Sequence, residues 1–406
     1  MLRHMPTPSS SAPTMPSRLT VRNGGTKALE NVQHGNEKVL RARLDDAKFF
    51  FENDRKKTLE GHRDDLTRIN YQEGMGDMRD KADRLRKLTE AIGKDWDFTA
   101  EEAADADRAA FLSKSDLATG MVTEFTELQG EMGKEYALLD GEKPEVAKAI
   151  FEQYMPRFAG DILPEQEIGR ALSLADKLDN LAATFLRGLI PTGSQDPFAL
   201  RRQTIGAVNI LTDGKIHWDI RRGIEAALAL LPGDEETKKT VLSQIEDFFR
   251  QRIKAIMLDE GIAYDIIDAV LAGPVDDIYA LFLKARSMAE SQLKGEADLR
   301  QAVTRLANIT KGKTGGKVDP SLFTEDVEKK LQDAFEAVSA KALPLFASYE
   351  YGKALPALKE LTAPINDYLD NVMVMVDDEA VKNNRISQLL ATLALFNTWG
   401  DFSKLV

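Results

Sequence analysis

The sequence predicts an all-α protein made of multi-helix bundle domains. Apolar residues recur at intervals of three and four along most of the chain, which is the spacing of one buried helix face. Glycine and proline fall mainly between these periodic segments, where they end helices and form turns. Only residues 19–25 (LTVRNGG) alternate like a strand, and no partner strand is evident. Because a lone strand leaves its backbone groups unpaired, this segment is either a loop or the end of a domain that precedes this chain.

Composition narrows the class of protein further. The chain has 406 residues, enough for two or three domains, with 43% hydrophobic and 30% charged residues, as in folded proteins. It has no cysteine, which excludes disulfides, thiolate metal sites and cysteine nucleophiles and favours a reducing, cytoplasmic location. No apolar run approaches the length of a membrane span, so we expect no membrane association. A net charge of -12 argues against a globally basic nucleic-acid binder but permits local basic surfaces.

The helices can be placed in order. Residues 1–17 are rich in Ser, Pro and Thr without an apolar core, which predicts a disordered leader. Val39, Leu40, Leu44, Ala47 and Phe50 predict a helix over residues 36–54 that faces a core, which would also take Phe49 and Phe51. The next predicted helices cover residues 75–94, 100–126, 127–140, 144–155 and 164–187, and one begins at 196–197, where Asp can cap and proline suits the first turn.

A domain boundary is predicted at Gly273-Pro274, because proline cannot continue a helix. Asp276 and Asp277 then complement the positive end of a long helix over residues 275–309. Further helices follow, and the run VMVM at 372–375 is interpreted as helix packing. The predicted organisation is residues 1–17 as leader, 18–73 as a remnant strand with linking helices, 74–273 as a middle helical domain and 274–406 as a C-terminal one.

The middle region contains a phrase, LADKLDN at 174–180, that resembles the last motif of HD-type metal phosphohydrolases. Those enzymes hold divalent ions with histidines and aspartates, but no histidine lies between Arg63 and Lys215, and SKSD at 113–116 stands where a His-Asp pair is expected. Asp116 and Asp176 are therefore either buried structural carboxylates or remaining metal ligands. A metal-dependent phosphohydrolase acting on nucleotides stays open as the alternative function.

Two loops have the composition of phosphate-contacting segments. The loop KGKTGGK at 311–317 lacks the strand and the GxxxxGK[ST] spacing of a P-loop, so it is either a solvated lysine loop or a contact for an RNA backbone. Residues 189–202 (LIPTGSQDPFALRR) form a fixed turn followed by Arg201 and Arg202. Guanidinium groups bind phosphate bidentately, so this pair either contacts phosphate or forms salt bridges with neighbouring helices.

Several separated phrases, in order, resemble one family, the beta subunit of the bacterial two-subunit glycine-tRNA ligase. The phrases are GNEKVLRARLDDAKFF at 35–50, DL at 116–117, VTEFTELQG at 122–130, PRFAG at 156–160, ADKLD at 175–179, PTGSQDPFALRR at 191–202, DNVMVM at 370–375, NR at 384–385 and DFSKL at 401–405. The segment YQEGMG at 71–76 departs from the family pattern. Since family members have a long additional N-terminal portion, the chain is expected to correspond to their C-terminal part.

The resemblance implies a division of labour. The alpha subunit would hold the site that attaches glycine with ATP and magnesium, and this chain would bind tRNA-Gly without a cofactor or catalytic residue of its own. It also implies a hetero-oligomer of two alpha and two beta chains in the cytoplasm, a degenerate HD-type domain near the tRNA acceptor, and a helical anticodon-binding domain after residue 274. The candidate tRNA contacts are Lys177, Arg201, Arg202, Arg286, Arg305, Asn308 and Lys311.

Overall fold

The computed structural model describes residues 28–405, and across this span the predicted all-α class is confirmed. These residues form eighteen α-helices and seven short 3-10 helices, with isolated β-bridges in place of strands. The predicted leader at 1–17 and the possible strand at 19–25 lie outside the described residues. The chain divides into two compact units, Met1–Glu52 and Asn53–Val406.

The first described helix, α1, covers Leu29–Asp54 and confirms the helix predicted over 36–54. The expectation that its apolar stripe lies in a core is wrong for Val39, Leu44 and Phe49, whose exposed fractions are 64%, 59% and 64%. Phe50 and Phe51 are half-buried. Three-and-four spacing shows which side chains share a helix face, but it cannot show whether another element covers that face.

The part of the chain from residue 53 to residue 272 is a bundle of helices around one almost fully buried helix. Its α-helices are α2 (Leu59–His62), α3 (Met78–Asp95), α4 (Ala100–Leu112), α5 (Gly120–Glu124), α6 (Glu131–Leu139), α7 (Pro144–Glu152), α8 (Glu167–Leu186), α9 (Leu200–Asp213), α10 (Ile220–Ala229), α11 (Glu235–Asp259) and α12 (Tyr264–Val270). Capping boxes at Asp77 and Thr99 fix the starts of α3 and α4.

Helix α8 is the centre of this bundle. It packs against α3, α4, α7, α9, α10 and α11, and its leucines and alanines at 171–175, 178 and 181–183 are almost fully buried. Full burial of each leucine contributes about 1.5–3 kcal/mol to stability. Because every face of α8 meets another helix, its polar residues must also find partners inside the bundle.

The C-terminal part continues with α13 (Ile278–Glu290), α14 (Ala297–Thr310), α15 (Asp326–Ala347), α16 (Leu355–Lys359), α17 (Thr362–Asn371) and α18 (Glu379–Asn397). Helix α14 lies against α17 and α18, and α15 packs on α17. Trp399 and Phe402 are fully buried beyond the end of α18, with their rings 5.7 Å apart. Inside this core, Arg385 on α18 forms an ion pair with Glu328 on α15 at 3.0 Å.

The middle and C-terminal parts meet at a packed junction, named here the 277 junction for its central residue, Asp277. Asp219 and Asp277 form an antiparallel bridge, and Ile220 N donates to Asp276 O at 3.1 Å. His217 Nδ1 lies 2.7 Å from Asp277 Oδ2, and the ring of His217 stacks on Tyr349 with centroids 3.5 Å apart. Residues 53–406 form one compact unit, with the predicted boundary at Gly273-Pro274 within it, just before the junction.

Three local predictions are wrong. The helix predicted over 100–126 breaks after α4 at Lys114, whose φ of 66° is left-handed, and the helix predicted over 275–309 breaks between α13 and α14 at a 3-10 turn opened by a Ser291 side-chain cap. The helix predicted from 196–197 begins at Leu200, although Asp196 still accepts hydrogen bonds from Leu200 N and Arg201 N.

The run at 372–375 does not form a helix. Helix α17 ends at Asn371, and the following residues alternate as extended chain does: Val372 and Val374 are buried, whereas Met373 and Met375 are 74% and 56% exposed. The interpretation as helix packing is therefore wrong. Val372 has an extended backbone, and residues 374–375 form a bend.

Within residues 28–405, no helix has both the length and the apolar character that crossing a bilayer requires.

Candidate functional site

Helix α8 carries two aspartates on the face that meets α3. Asp176 and Asp179 are one turn apart, as are Lys81 and Arg84 on α3, so the two charged pairs face each other. Arg84 donates to both oxygens of Asp179, at 2.6 and 3.2 Å, and Lys81 Nζ donates to Asp179 Oδ2 at 2.9 Å. Lys81 Nζ also lies 2.9 Å from Asp176 Oδ1. The motif aspartates therefore have ammonium and guanidinium partners inside the bundle.

A second lysine completes the partners of Asp176. Lys114, which is 3% exposed, donates from Nζ to Asp176 Oδ2 at 2.9 Å. Its left-handed backbone turns the chain directly after α4, and this turn places Lys114 against α8. Both oxygens of Asp176 therefore have lysine ammonium partners, and its negative charge is compensated inside the bundle.

The electrostatics of this cluster follow from the shared aspartate. Burial alone would raise the pKa of Asp176, but the adjacent ammonium groups of Lys114 and Lys81 hold it below its usual value. Burial opposes the charged form of Lys81 as well, yet Asp176 and Asp179 together raise its pKa. For Lys114, burial and the neighbouring charge of Lys81 prevail over Asp176 and lower the pKa.

The other aspartate from the resemblance to phosphohydrolases, Asp116, has separate partners. It accepts hydrogen bonds from Gly130 N at 2.7 Å and from Tyr154 Oη at 2.9 Å, and burial raises its pKa. Both Asp116 and Asp176 are thus buried carboxylates with partners inside the protein. This favours the interpretation as structural carboxylates over the interpretation as metal ligands. Within residues 28–405, no three His, Cys, Asp or Glu side chains come together in a group that could hold a metal ion.

The histidines of the described chain lie elsewhere. His62 Nε2 lies 3.1 Å from Asp54 O, His217 is in the 277 junction, and His34 is exposed on α1. The ion-pair partners of Asp176 within the described residues are lysines and include no histidine. The alternative of a metal-dependent phosphohydrolase therefore finds no ligand set in this part of the chain and is not supported.

The turn at 71–76 closes one side of the cluster. Tyr71 Oη donates to Asn180 Oδ1 at 2.9 Å, and Gln72 Nε2 donates to Thr184 Oγ1 at 3.0 Å. Burial raises the pKa of Tyr71 to about 12. This turn is fastened to α8 by side-chain hydrogen bonds to two of its residues.

Beside the charged cluster lies a cavity of about 230 Å³, named here the α8–α9 cavity. Its lining is Tyr154, Pro156, Arg157, Asp176, Lys177, Asn180, Ala199, Arg202 and Gln203. Lys177 is 4% exposed, and its Nζ donates to Met155 O and to Ser173 Oγ, both at 2.7 Å. Burial lowers the pKa of Lys177 to about 7, so its ammonium group is only partly charged near neutral pH.

The two arginines of the 191–202 segment have different surroundings. Arg202 is exposed at the cavity and donates from Nη1 to Arg157 O at 3.1 Å. Arg201 is not part of the cavity lining and donates from Nη2 to Gly193 O at 2.8 Å. Of the predicted contacts, the structure thus brings Lys177 and Arg202 to one cavity and directs Arg201 to the preceding turn.

The candidate tRNA contacts in the C-terminal part differ in whether their side chains form ion pairs within the protein. Arg286 pairs with Glu260 at 2.8 Å, and Arg305 pairs with Asp370 at 2.6 Å and donates to Asn366 at 2.9 Å. Asn308 and Lys311 are exposed at the end of α14. The lysine loop that follows is anchored by a hydrogen bond from Gly316 N to Ser387 Oγ at 2.8 Å, which leaves Lys311 and Lys317 on the surface.

Arg157, Asn180 and Gln203, which are not among the contacts predicted from the sequence, line the same cavity as Lys177. Asn180 Nδ2 donates to Gln203 Oε1 at 2.7 Å, which ties α8 to α9. Arg157 stands in the PRFAG phrase and Asn180 directly follows ADKLD, so both lay in or beside motifs already recognised. No local pattern shows that these motifs meet in space.

Two family models match this chain. Residues 3–272 match the family model described as glycyl-tRNA synthetase beta subunit, and residues 299–400 match the DALR anticodon binding domain. The glycine-tRNA ligase beta subunit of Desulforamulus reducens is 41% identical over 408 residues, covering 100% of this chain and 59% of the relative. That of Clostridioides difficile is 44% identical over 393 residues, covering 97% and 57%. The chain thus spans less than two thirds of the length of these relatives.

Proposed function

Because the chain belongs to the glycyl-tRNA synthetase beta subunit family, we propose that it is the tRNA-binding part of a glycine-tRNA ligase. In this role it binds tRNA-Gly while a partner alpha subunit attaches glycine to the tRNA. The single observation that carries the proposal is the match of residues 299–400 to an anticodon-binding domain, in the same chain as the beta-subunit match.

The distribution of charge supports RNA binding by this acidic chain. Its net charge is -12, so contact with a phosphate backbone depends on local cations. Exposed Lys311 and Lys317 stand at the end of α14, in the region matched to the anticodon-binding domain. Exposed Arg157 and Arg202 line the α8–α9 cavity in the middle region. We propose that the first group lies near the anticodon and the second near the acceptor end.

The partners and the chemistry of the complete enzyme belong to the same proposal. We propose that the chain works in a complex of two alpha and two beta subunits in the cytoplasm, with ATP and magnesium bound by the alpha subunit. The middle region, with a motif like that of HD-type hydrolases and lysines around Asp176, serves as a noncatalytic scaffold. Candidate contacts in this role are Lys177, Arg201, Arg202, Arg286, Arg305, Asn308 and Lys311.

An electrophoretic mobility shift tests the central proposal. A tRNA-Gly transcript and an unrelated tRNA are titrated with the chain at several stated salt concentrations. We expect tighter binding of tRNA-Gly, with an affinity that decreases as salt rises. Equal or absent binding of the two RNAs at every salt concentration contradicts the proposal. Co-purification with the alpha subunit and sedimentation of the complex test the partner and the stoichiometry.

A further inference from the structure

The lining of the α8–α9 cavity combines an aromatic ring with polar side chains. The Tyr154 ring and Pro156 belong to its lining, and Tyr154 is held in place by its hydrogen bond to Asp116 and by Lys114 Nζ, 4.0 Å from the ring centroid. A fixed aromatic ring offers a planar surface on which a base or sugar can pack. The volume of about 230 Å³ suits one small planar group with its substituents and excludes a duplex.

Two amides in the lining retain hydrogen-bonding capacity. Asn180 uses one N–H for Gln203 Oε1, and Gln203 Nε2 donates to Phe198 O. Each side-chain amide has two N–H groups, so each has one more to offer. Such groups recognise the carbonyl and ring-nitrogen acceptors along the edge of a base.

Two arginines line the cavity, and Arg202 is the one without a carboxylate partner among the described residues. The other, Arg157, pairs with Asp161, with Nε and Nη2 at 2.9 and 3.2 Å from the carboxylate oxygens. Arg202 donates only to a backbone carbonyl, and between residues 28 and 405 no carboxylate lies within ion-pair distance of it. A guanidinium has five N–H donors, so most of those of Arg202 are available to an anion.

The one carboxylate in the lining does not repel an anion strongly. Asp176 is only 8% exposed and is paired with Lys81 and Lys114, both at 2.9 Å. Lys177, next in the chain, adds a second cation when it is protonated. The cavity therefore has an available guanidinium, a neutralised acid and a planar wall.

We propose that the α8–α9 cavity binds one nucleoside monophosphate unit, with the phosphate on Arg202 and the base against Tyr154 and the amides of Asn180 and Gln203. This inference rests on the proposed function in that an unpaired nucleotide of the bound tRNA supplies the unit. A free mononucleotide has the same chemistry, and the experiment below distinguishes the two sources.

The first measurement is calorimetric titration of the full chain with each of the four nucleoside 5′-monophosphates and with inorganic phosphate. We expect millimolar or tighter binding of at least one mononucleotide and weaker binding of phosphate alone. Arg202→Gln should weaken mononucleotide binding about tenfold, since a charged hydrogen bond is lost. Arg68→Gln is the matched control, because Arg68 is an exposed arginine outside the cavity that pairs with Asp65, and it should leave the affinity unchanged.

The second measurement is competition between the mononucleotide and tRNA-Gly in the mobility shift. Displacement of tRNA, together with weaker tRNA binding by Arg202→Gln, supports an RNA nucleotide as occupant. Mononucleotide binding that is sensitive to Arg202→Gln but does not displace tRNA supports the same site with a free mononucleotide as its ligand. Thermal unfolding confirms that both arginine variants are folded.

Absence of mononucleotide binding up to about 10 mM, or equal binding by wild type and Arg202→Gln, overturns the inference. If tRNA-Gly still binds selectively in that case, the proposed function stands without it. If selective tRNA binding fails while mononucleotides bind through Arg202, the proposed function fails and the cavity remains a mononucleotide site.

Discussion

Lys114 Nζ lies 2.9 Å from Asp176 Oδ2, and both residues are almost completely buried. Lys81 pairs with the other carboxylate oxygen of Asp176. Two lysine ammonium groups therefore contact an aspartate of the LADKLDN phrase, which resembles a metal-binding motif. The cluster is held by ion pairs that join α3, α8 and the turn after α4.

Replacing Asp176 by asparagine should destabilise the chain strongly. Asp176→Asn leaves Lys81 and Lys114 buried without this counter-charge, and breaking such a buried pair costs about 3–5 kcal/mol. Chemical denaturation followed by circular dichroism measures the change. The matched control is Asp107→Asn, which breaks an exposed pair with Arg86 and should cost less than about 1 kcal/mol. Similar losses in the free energy of unfolding of the two variants would show that burial does not increase the contribution of the Asp176 ion pairs to stability.

Removing Lys177 should stabilise the chain, and more so at low pH. The pKa of Lys177 is about 7 in the folded chain, below the ordinary lysine value of 10.5, so the unfolded chain binds more protons between about pH 7 and pH 10. Stability of the wild type should rise with pH over that range, because the cost of burying the charged form is fully present below pH 7. Lys177→Met removes this cost and leaves Met155 O bonded to Ser173 Oγ.

Thermal unfolding at pH 6 and pH 9 checks this prediction. The gain in melting temperature of Lys177→Met over wild type should be larger at pH 6. Lys239→Met is the control, since Lys239 is exposed on α11 and its loss should have little effect at either pH. A gain that is the same at both pH values would contradict a lowered pKa for Lys177.

Lys311→Gln should weaken tRNA binding and reduce its salt dependence. Lys311 is exposed at the end of α14, and one lost phosphate contact lowers the slope of log affinity against log salt by slightly less than one. Mobility shifts at four salt concentrations measure the slope. Lys330→Gln, an exposed lysine on α15, has the same charge change and serves as the control. Equal slopes for both variants would place the RNA elsewhere.

Arg385→Met should destabilise the C-terminal part by about 3 kcal/mol or more. Arg385 pairs with fully buried Glu328 and also donates from Nη1 to Met373 O at 2.8 Å, which fixes the extended segment after α17. Thermal unfolding by circular dichroism measures the loss. Lys341→Met breaks only the exposed pair with Glu360 and should shift the midpoint far less. Comparable shifts would show that burial adds little to the Arg385 pair.

The sequence predicts the helical class well because apolar spacing is a local property. It misses chain breaks set by tertiary contacts. Lys114 and Ala199 adopt left-handed φ values of 66° and 53° without being glycine, so composition does not mark either turn. The helix predicted from Asp196-Pro197 begins at Leu200 with Ala199 at its N-cap, and Asp196 accepts hydrogen bonds from its first two N–H groups.

The candidate site was predictable only in part. Residue type identified Arg202 and Lys177 as possible contacts, and histidine placement excluded a histidine-based metal centre near Asp176 from sequence alone. That Arg157, Asn180 and Gln203 join them depends on how α8 and α9 pack, which no periodicity encodes. Whether an apolar helix face is buried also depends on residues distant in the sequence, as the exposed apolar side chains of α1 show.

The 277 junction joins the middle and C-terminal parts of the chain. Through the Asp219–Asp277 bridge and the stacking of His217 on Tyr349, the arginines at the α8–α9 cavity and the lysines after α14 belong to one compact body. For the proposed RNA partner, the distance between these two groups of side chains is set by how the middle and C-terminal parts pack at the junction.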